Sequence, residues 1–159
     1  MKMLWLVVAL AVAACGPSNA EVKVAKTAQY TAAAGTLFDL AIQAAQRDYK
    51  IGEVDPEGAQ FATDPQFYSP EGGRQSAGAG GFVNMSPGSI LLSLVVEIVK
   101  TERGHAVVIT PKSFQVISGS PKPRELAPDD PNLPGWVHGR VDSLAVAIYE
   151  AAKQHAAAP

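Results

Sequence analysis

The sequence predicts an α+β fold, a two-layer sandwich in which two helices pack on one face of a four-stranded, mainly antiparallel sheet. Two amphipathic helical patterns flank four segments with strand patterning, and each apolar helical stripe must be buried against a sheet face. The 159 residues are 47% hydrophobic and 18% charged, which is a globular composition. A chain of this length forms one core, and we expect that single domain to span residues 35–156.

The first helix is predicted from about Thr36 to Tyr49, because apolar residues repeat there at every third or fourth position. A β-hairpin is predicted next, with its turn at residues 55–58 (Asp-Pro-Glu-Gly). Residues 69–88 then contain six of the fourteen glycines and almost no aliphatic side chain, which predicts a long, flexible loop. These glycines lack the Lys and Ser or Thr of a phosphate-binding loop, so a nucleotide site is not predicted.

The strongest strand pattern covers residues 89–101, where one row of alternate side chains is entirely aliphatic. That row consists of Ile90, Leu92, Leu94, Val96 and Ile98. We expect it to meet the helices, with residues 106–110 pairing back as a hairpin. The opposite row contains Leu91, Val95 and Val99 and is too apolar to face water as a stripe. It is therefore core, or the N-terminal segment, the glycine-rich loop or a partner protein covers it.

The last part of the domain is predicted as a crossing segment followed by a helix. Five prolines in residues 117–134 predict a semi-extended segment. The helix is predicted from Trp136 to His155, with Arg140 and Asp142 facing solvent. Trp136, at the junction, is either a hydrophobic staple or an anchor for a partner. The predicted apolar stripe is Val137, Val141, Leu144, Ala145, Ile148 and Ala152.

The N-terminus carries a targeting signal. Lys2 precedes a ten-residue apolar run, Leu4 to Ala13, which is too short to span a membrane and matches the core of a signal peptide. Val12, Ala13, Ala14 and Cys15, the only cysteine, resemble the lipobox of bacterial lipoproteins. The resemblance implies cleavage before Cys15, attachment of diacylglycerol to its thiol and acylation of its amino group, typically with palmitate. The alternatives are an ordinary signal peptide, cut after Ala14 or after Asn19, and an uncleaved anchor.

The lipobox resemblance also implies a domain organisation: a signal peptide at 1–14, a lipidated tether at 15–34 and the folded domain from 35. Small and polar residues after Cys15 are typical of a tether, although alternation at Val22 and Val24 leaves an edge strand open. Gly16, where some lipoproteins have Asp, implies sorting to the outer membrane, with the domain facing the periplasm. Losing Lys2 leaves 12 Lys and Arg against 15 Asp and Glu, a formal charge of −3.

No residue pattern predicts catalysis, a metal or a cofactor. The three histidines lack the spacing of a zinc site, and no nucleophile-elbow motif is complete. Glu97, within the strongest strand, is either an outward-facing carboxylate or a buried acid with a raised pKa. Asp129 and Asp130 lack the regular ligand pattern of a calcium loop. Balanced charge without a basic run does not favour nucleic acid as a partner.

The sequence therefore favours a non-catalytic interaction or assembly-accessory module, anchored to the membrane through the lipid on Cys15 and binding an envelope protein. The candidate partner-binding residues are Leu91, Val95, Val99 and Trp136. The order of elements is similar to that of the helix-grip domains of small envelope lipoproteins that assist barrel assembly. The alternative is a periplasmic domain that binds a lipid, peptide or glycan, and a small enzyme comes third. A cavity of about 300 Å³ beneath the helices favours a bound ligand, whereas a filled core favours the module.

Overall fold

The computed structural model describes residues 16–76 and 85–158, so the signal segment, Cys15 and the centre of the glycine-rich loop lie outside the described residues. Within these ranges the chain forms three α-helices and an antiparallel sheet of six strands, where the sequence predicts two helices and four strands. The additional helix lies in the predicted tether, and the two additional strands are three residues long, too short to show a period. The helices are α1 (Asn19–Thr27), α2 (Ala34–Ala45) and α3 (Gly135–Ala152), and α3 continues into a 3₁₀ turn at Lys153–His155. The strands are β1 (Ile51–Asp55), β2 (Gln60–Thr63), β3 (Gln66–Tyr68), β4 (Ile90–Thr101), β5 (Gly104–Gln115) and β6 (Arg124–Leu126).

The sheet is built around the β4–β5 hairpin. Its strand order is β1-β2-β4-β5-β6, and β3 pairs with β4 beyond the end of β2. The two short strands β2 and β3 therefore share one edge of β4, with Thr63 at the junction. Leu94 N donates to Thr63 Oγ1 at 2.9 Å, and Ser93 Oγ donates to the Thr63 carbonyl at 2.7 Å. Thr63 thus continues the hydrogen bonding of β4 where the partner strand changes.

The helices bury one face of this sheet, as the sequence predicts. The aliphatic row of β4 is at most 6% exposed. The predicted stripe of α3 is also buried throughout, from Val137 to Ala152. The α2 helix adds Leu37, Phe38 and three buried alanines, and the ring of Phe38 meets Phe61 of β2 edge to face at 5.9 Å. Complementary side chains therefore fill the space between helices and sheet.

The segment predicted as a tether contains the α1 helix, which packs on the domain. Ser18 and Glu21 form a capping box: the Glu21 carboxylate accepts from Ser18 N at 2.7 Å, and Ser18 Oγ accepts from Glu21 N at 3.3 Å. Ala25 is buried, and the ammonium group of Lys26 pairs with Asp142 of α3. The folded unit therefore begins near residue 19 and not at 35, and Asp142 is an interhelical partner where the sequence predicted a solvated residue.

Other boundaries also differ from the predicted ones. The α2 helix ends at Ala45, and Tyr49 lies in the following turn, with its N–H donating to the Ala45 carbonyl at 2.9 Å. The predicted turn after β1 is present, and Asp55 Oδ1 accepts from Gly58 N at 3.0 Å. The proline-rich crossing contains β6, which pairs only with residues 113–115 of β5. At Pro111, β5 therefore has no strand on its second side. Proline is tolerated there because no neighbouring strand needs a hydrogen bond from its backbone nitrogen, which carries no hydrogen.

Candidate functional site

The face of the sheet opposite the helices is the candidate site, and we call it the outer sheet face. Side chains alternate along a strand, so the residues between those of the buried row point to this face. No helix in the described part of the chain packs on it. Its apolar members come from β2, β3, β4 and β5. They are Ala62, Phe67, Leu91, Val95, Val99, Ala106, Val108 and Phe114.

Cross-strand pairing groups the apolar residues of this face, with the Ser93–Lys112 pair and Glu97 between the groups, and we call the row from Leu91 to Val99 the stripe. Leu91 lies between Phe67 on β3 and Phe114 on β5, and Val95 lies opposite Ala62 on β2. Neighbours within the sheet leave Val95 only 8% exposed, while Val108 remains 42% exposed. At about 3.3 Å per residue the stripe runs for roughly 27 Å along β4 from position 91 to position 99. It is long enough to seat an extended segment or the side of a partner domain.

A shallow groove of about 450 Å³ lies at one end of the stripe. Its apolar wall includes Ala62, Leu91 and Phe114, and its polar wall includes Ser93 and Lys112. Exposed carboxylates line the groove or stand on the face beside it, and Lys112 is the one cation among the described residues that line the groove. These carboxylates are Glu53, Asp55, Asp64, Glu97 and Glu125. The outer sheet face therefore combines apolar residues with a set of carboxylates, which we call the acidic border; Glu97 is the one that stands on β4, between Val95 and Val99.

The structure brings together three of the four predicted partner-binding residues. Leu91, Val95 and Val99 share the outer sheet face, whereas Trp136 begins α3 on the other side of the sheet. The Trp136 ring stacks on Tyr68 with centroids 5.1 Å apart, and Trp136 Nε1 donates to the Pro70 carbonyl at 2.9 Å. Trp136 thus holds the turn after β3 against the helix layer, and it does not belong to the candidate surface.

A second groove of about 450 Å³ lies beyond the end of α2 and contains a cluster of arginines and tyrosines. The Arg74 guanidinium lies 5.5 Å from the centre of the Tyr49 ring and donates to the Asp48 carbonyl. The Arg140 guanidinium lies 4.8 Å from the centre of the Tyr68 ring, although the sequence predicted that Arg140 faces solvent. Burial raises the pKa of the Tyr49 hydroxyl. The cluster joins α2, α3 and the loop after β3, and sequence analysis missed it because its members are far apart in the chain.

The ionisable residues singled out in the sequence have separate surroundings in the structure. Glu97 is exposed on the outer sheet face, so the buried-acid interpretation is wrong. The Asp130 carboxylate accepts from Asn132 N at 2.8 Å and pairs with Arg124 at 2.7 Å, and the N–H of Asn132 holds the pKa of Asp130 below its usual value. His105 Nδ1 lies 3.0 Å from the Ala32 carbonyl. Across residues 16–76 and 85–158, no three His, Cys, Asp or Glu side chains cluster as a metal site would require.

Comparison of the sequence with protein-family models and with curated proteins finds no match. Among the helices that the structure describes, none is long and apolar enough to cross a membrane. The geometry of the outer sheet face and the residues of the N-terminus are therefore the features that point to a function.

Proposed function

We propose that the protein is a membrane-anchored lipoprotein of the cell envelope, and that its domain is a non-catalytic interaction module that binds an envelope protein. The observation that carries this proposal is the outer sheet face, an apolar stripe that no described helix covers. Apolar side chains that gather on an uncovered face of a soluble domain are candidate interaction sites. Leu91 and Phe114 at one end of this face and Val108 nearer the other are its partly or fully exposed apolar side chains.

The position of the two grooves favours a protein partner over a small ligand. Ligand sites in domains of this kind are concave spaces between helices and sheet, but buried side chains from Leu37 to Ile148 fill that layer here. The groove beside Leu91 is open and lies on the outer sheet face, and the groove beside Tyr49 lies beyond the end of α2. An extended, shallow apolar surface suits a macromolecular partner.

The charges around the stripe define the chemistry of that partner. Glu53 and Asp64 line the groove with Lys112, and Glu97 and Glu125 lie elsewhere on the same face. Complementary charge at the border of an interface steers association and selects partners. A protein with an apolar patch and basic residues around it fits this face, whereas a second copy of the chain would bring like charges together.

The anchor in this proposal is the lipid on Cys15, which lies outside the described residues. The lipobox resemblance at residues 12–15 supports it, and Gly16 after the cysteine supports the outer membrane, with the domain in the periplasm. One acyl chain holds a protein only marginally, whereas two or three hold it stably. Replacing Cys15 by Ala should move the protein from the detergent phase to the aqueous phase in phase partitioning. Unchanged partitioning would remove the lipid anchor from the proposal.

The docking face is tested by replacing Leu91 and Val95 with Thr, which retains strand propensity and reduces apolar area. A photo-crosslinking residue replaces Val108, at the margin of the face, and reports partner contact in intact cells. We expect at least a tenfold loss of crosslinks, with the free energy of unfolding lowered by no more than about 3 kcal/mol, because Val95 is only 8% exposed and its replacement buries a hydroxyl. Ile117→Thr is the matched control, because Ile117 is exposed and lies outside the sheet. Retained crosslinks, or unfolding of the double variant, would contradict a docking face.

A further inference from the structure

We infer that the connection between lipid and domain is too short and too firmly held to let the domain leave the membrane surface, and that its partner is therefore a membrane-embedded protein. The inference rests on the proposed lipid attachment at Cys15. It concerns residues 16–18, which alone separate Cys15 from the first residue of α1.

The length of the connection follows from the start of α1. The capping box of Ser18 and Glu21 fixes that start at Asn19. Four residue steps separate Cys15 from Asn19, and an extended chain spans at most about 3.6 Å per residue, so the reach is about 14 Å. The tether predicted from composition would have extended to Ala34 and reached about 70 Å. The α1 helix shortens the available reach about fivefold.

The α1 helix is held to the domain near its C-terminal end, and the residues directly after it are held as well. Ala25 is 7% exposed, and Lys26 pairs with Asp142 of α3. Directly after the helix, Tyr30 N donates to the His105 carbonyl at 2.8 Å, and His105 N donates to the Tyr30 carbonyl at 2.9 Å. Ala157 N also donates to the Gln29 carbonyl at 2.7 Å. Releasing α1 would break its contacts with α3, and the hydrogen bonds of Gln29 and Tyr30 hold the chain directly behind it to the C-terminal segment and β5, so the connection does not lengthen freely.

A short connection restricts which partners the domain meets. A folded domain of this size has a radius of gyration of about 14 Å and a diameter of about 40 Å, so the outer sheet face stays within roughly 50 Å of the bilayer. Confinement of two partners to one membrane raises their effective concentration without any new contact. A membrane-embedded protein gains this advantage in full. The lipid surface itself is disfavoured, because residues 15–159 carry a formal charge of −3 and anionic lipid repels an acidic face.

The test inserts spacers between Gly16 and Pro17 of the full-length protein. A 20-residue helical Glu-Ala-Lys spacer lifts the domain by about 30 Å, whereas a 20-residue Gly-Ser spacer lets it return to the surface. Crosslinks from position 108 are followed in cells, together with detergent partitioning. We expect anchoring to be unchanged in both variants, a tenfold or greater loss of crosslinks with the helical spacer, and a change of threefold or less with the flexible one.

Unchanged or increased crosslinking with the helical spacer would overturn the inference, as would crosslinks that lead to a soluble protein or to lipid. Different outcomes would contradict the proposed function itself. These are unaltered partitioning of Cys15→Ala and retained crosslinks in the Leu91 and Val95 double variant. A parent protein that is anchored through Cys15 and crosslinks through the outer sheet face, but tolerates the rigid spacer, would overturn only the membrane-embedded partner.

Discussion

The indole ring of Trp136 lies directly against the backbone of Gly72, so that a Cβ atom on Gly72 would come within 2.8 Å of Trp136 Cγ. Gly72 also has a φ of +91°, a conformation that residues with side chains rarely adopt. Together with the hydrogen bond from Trp136 Nε1 to the Pro70 carbonyl, this contact fixes the turn after β3 on the start of α3. Trp136 therefore stabilises the fold through a contact that only glycine permits.

We expect Gly72→Ala to lower the free energy of unfolding by about 1–3 kcal/mol, because it combines a strained φ with a clash against the Trp136 ring. Gly73→Ala is the matched control. Its Cβ would lie 3.4 Å from Ser69 Oγ, and Gly73 has no positive φ, so its effect should stay within about 0.5 kcal/mol. Urea unfolding of the two variants measures the difference. Equal stabilities would show that the Trp136 contact does not constrain this turn.

The sequence predicts the long, periodic elements well. Alternation along residues 89–101 separates the buried row from the row of Leu91, Val95 and Val99, and helical spacing identifies the stripe of α3. Both patterns follow from burial of one face, which is the strongest constraint on residue choice. The composition of residues 16–34 instead suggested a tether. The Ser18 to Glu21 spacing was a visible capping-box signal for α1 that this interpretation overlooked.

The three-residue strands β3 and β6 could not be predicted, because segments this short show no period. They form where β4 and β5 offer free edges, which is a property of the assembled sheet. The acidic border has the same origin. Glu53, Asp64 and Glu125 join Glu97 on the outer sheet face only because β1 and the β2–β3 link lie on the β4 side of the sheet and β6 lies beside β5. Sequence alone therefore predicted the apolar centre of the site but not its charge.

Thr63 provides a prediction about the junction between β2 and β3. Its side chain is buried, and its hydroxyl accepts the Leu94 N–H. Thr63→Val preserves the shape but leaves that N–H without an acceptor, so we expect a loss of about 1–3 kcal/mol in the free energy of unfolding. Thr63→Ser keeps the acceptor and removes one methyl group, which should cost about 1 kcal/mol. Chemical denaturation should rank Val below Ser. The reverse order would show that the hydroxyl is not needed.

Tyr30 provides a prediction about alkaline pH. Burial, followed by the nearby Tyr149, raises the pKa of Tyr30 from its ordinary value of 10.0 to about 12. Between these values the unfolded chain loses the phenol proton and the folded chain keeps it, so stability is full below pH 10 and falls as the pH rises to 12. The expected loss is roughly 1–2 kcal/mol, reduced for residual solvent screening.

Unfolding curves of the parent and Tyr30→Phe at pH 9 and pH 12 test this expectation. The other tyrosines and the lysines are common to both proteins, so their titration cancels in the comparison. Between pH 9 and pH 12 the parent should lose more stability than Tyr30→Phe does. A difference that does not change with pH would show that Tyr30 titrates at its ordinary pKa in the folded protein.

The acidic border provides the last prediction, because charge at the edge of an interface acts mainly on the rate of association. Glu97 is exposed on the outer sheet face opposite Gln60 and Val108, and it takes part in none of the ion pairs within the described residues. Glu97→Lys therefore reverses a charge without breaking a bridge. Asp39→Lys is the control: it changes the net charge by the same amount at an exposed position of α2, away from the face.

With crosslinking in membrane fractions at low salt, we expect a three- to tenfold loss for Glu97→Lys and none for Asp39→Lys. The gap should narrow at about 0.5 M salt, where the Debye length falls below 5 Å. Equal effects of the two reversals, or a gap that salt does not change, would remove the basic border from the description of the partner and leave the apolar stripe as its only determinant.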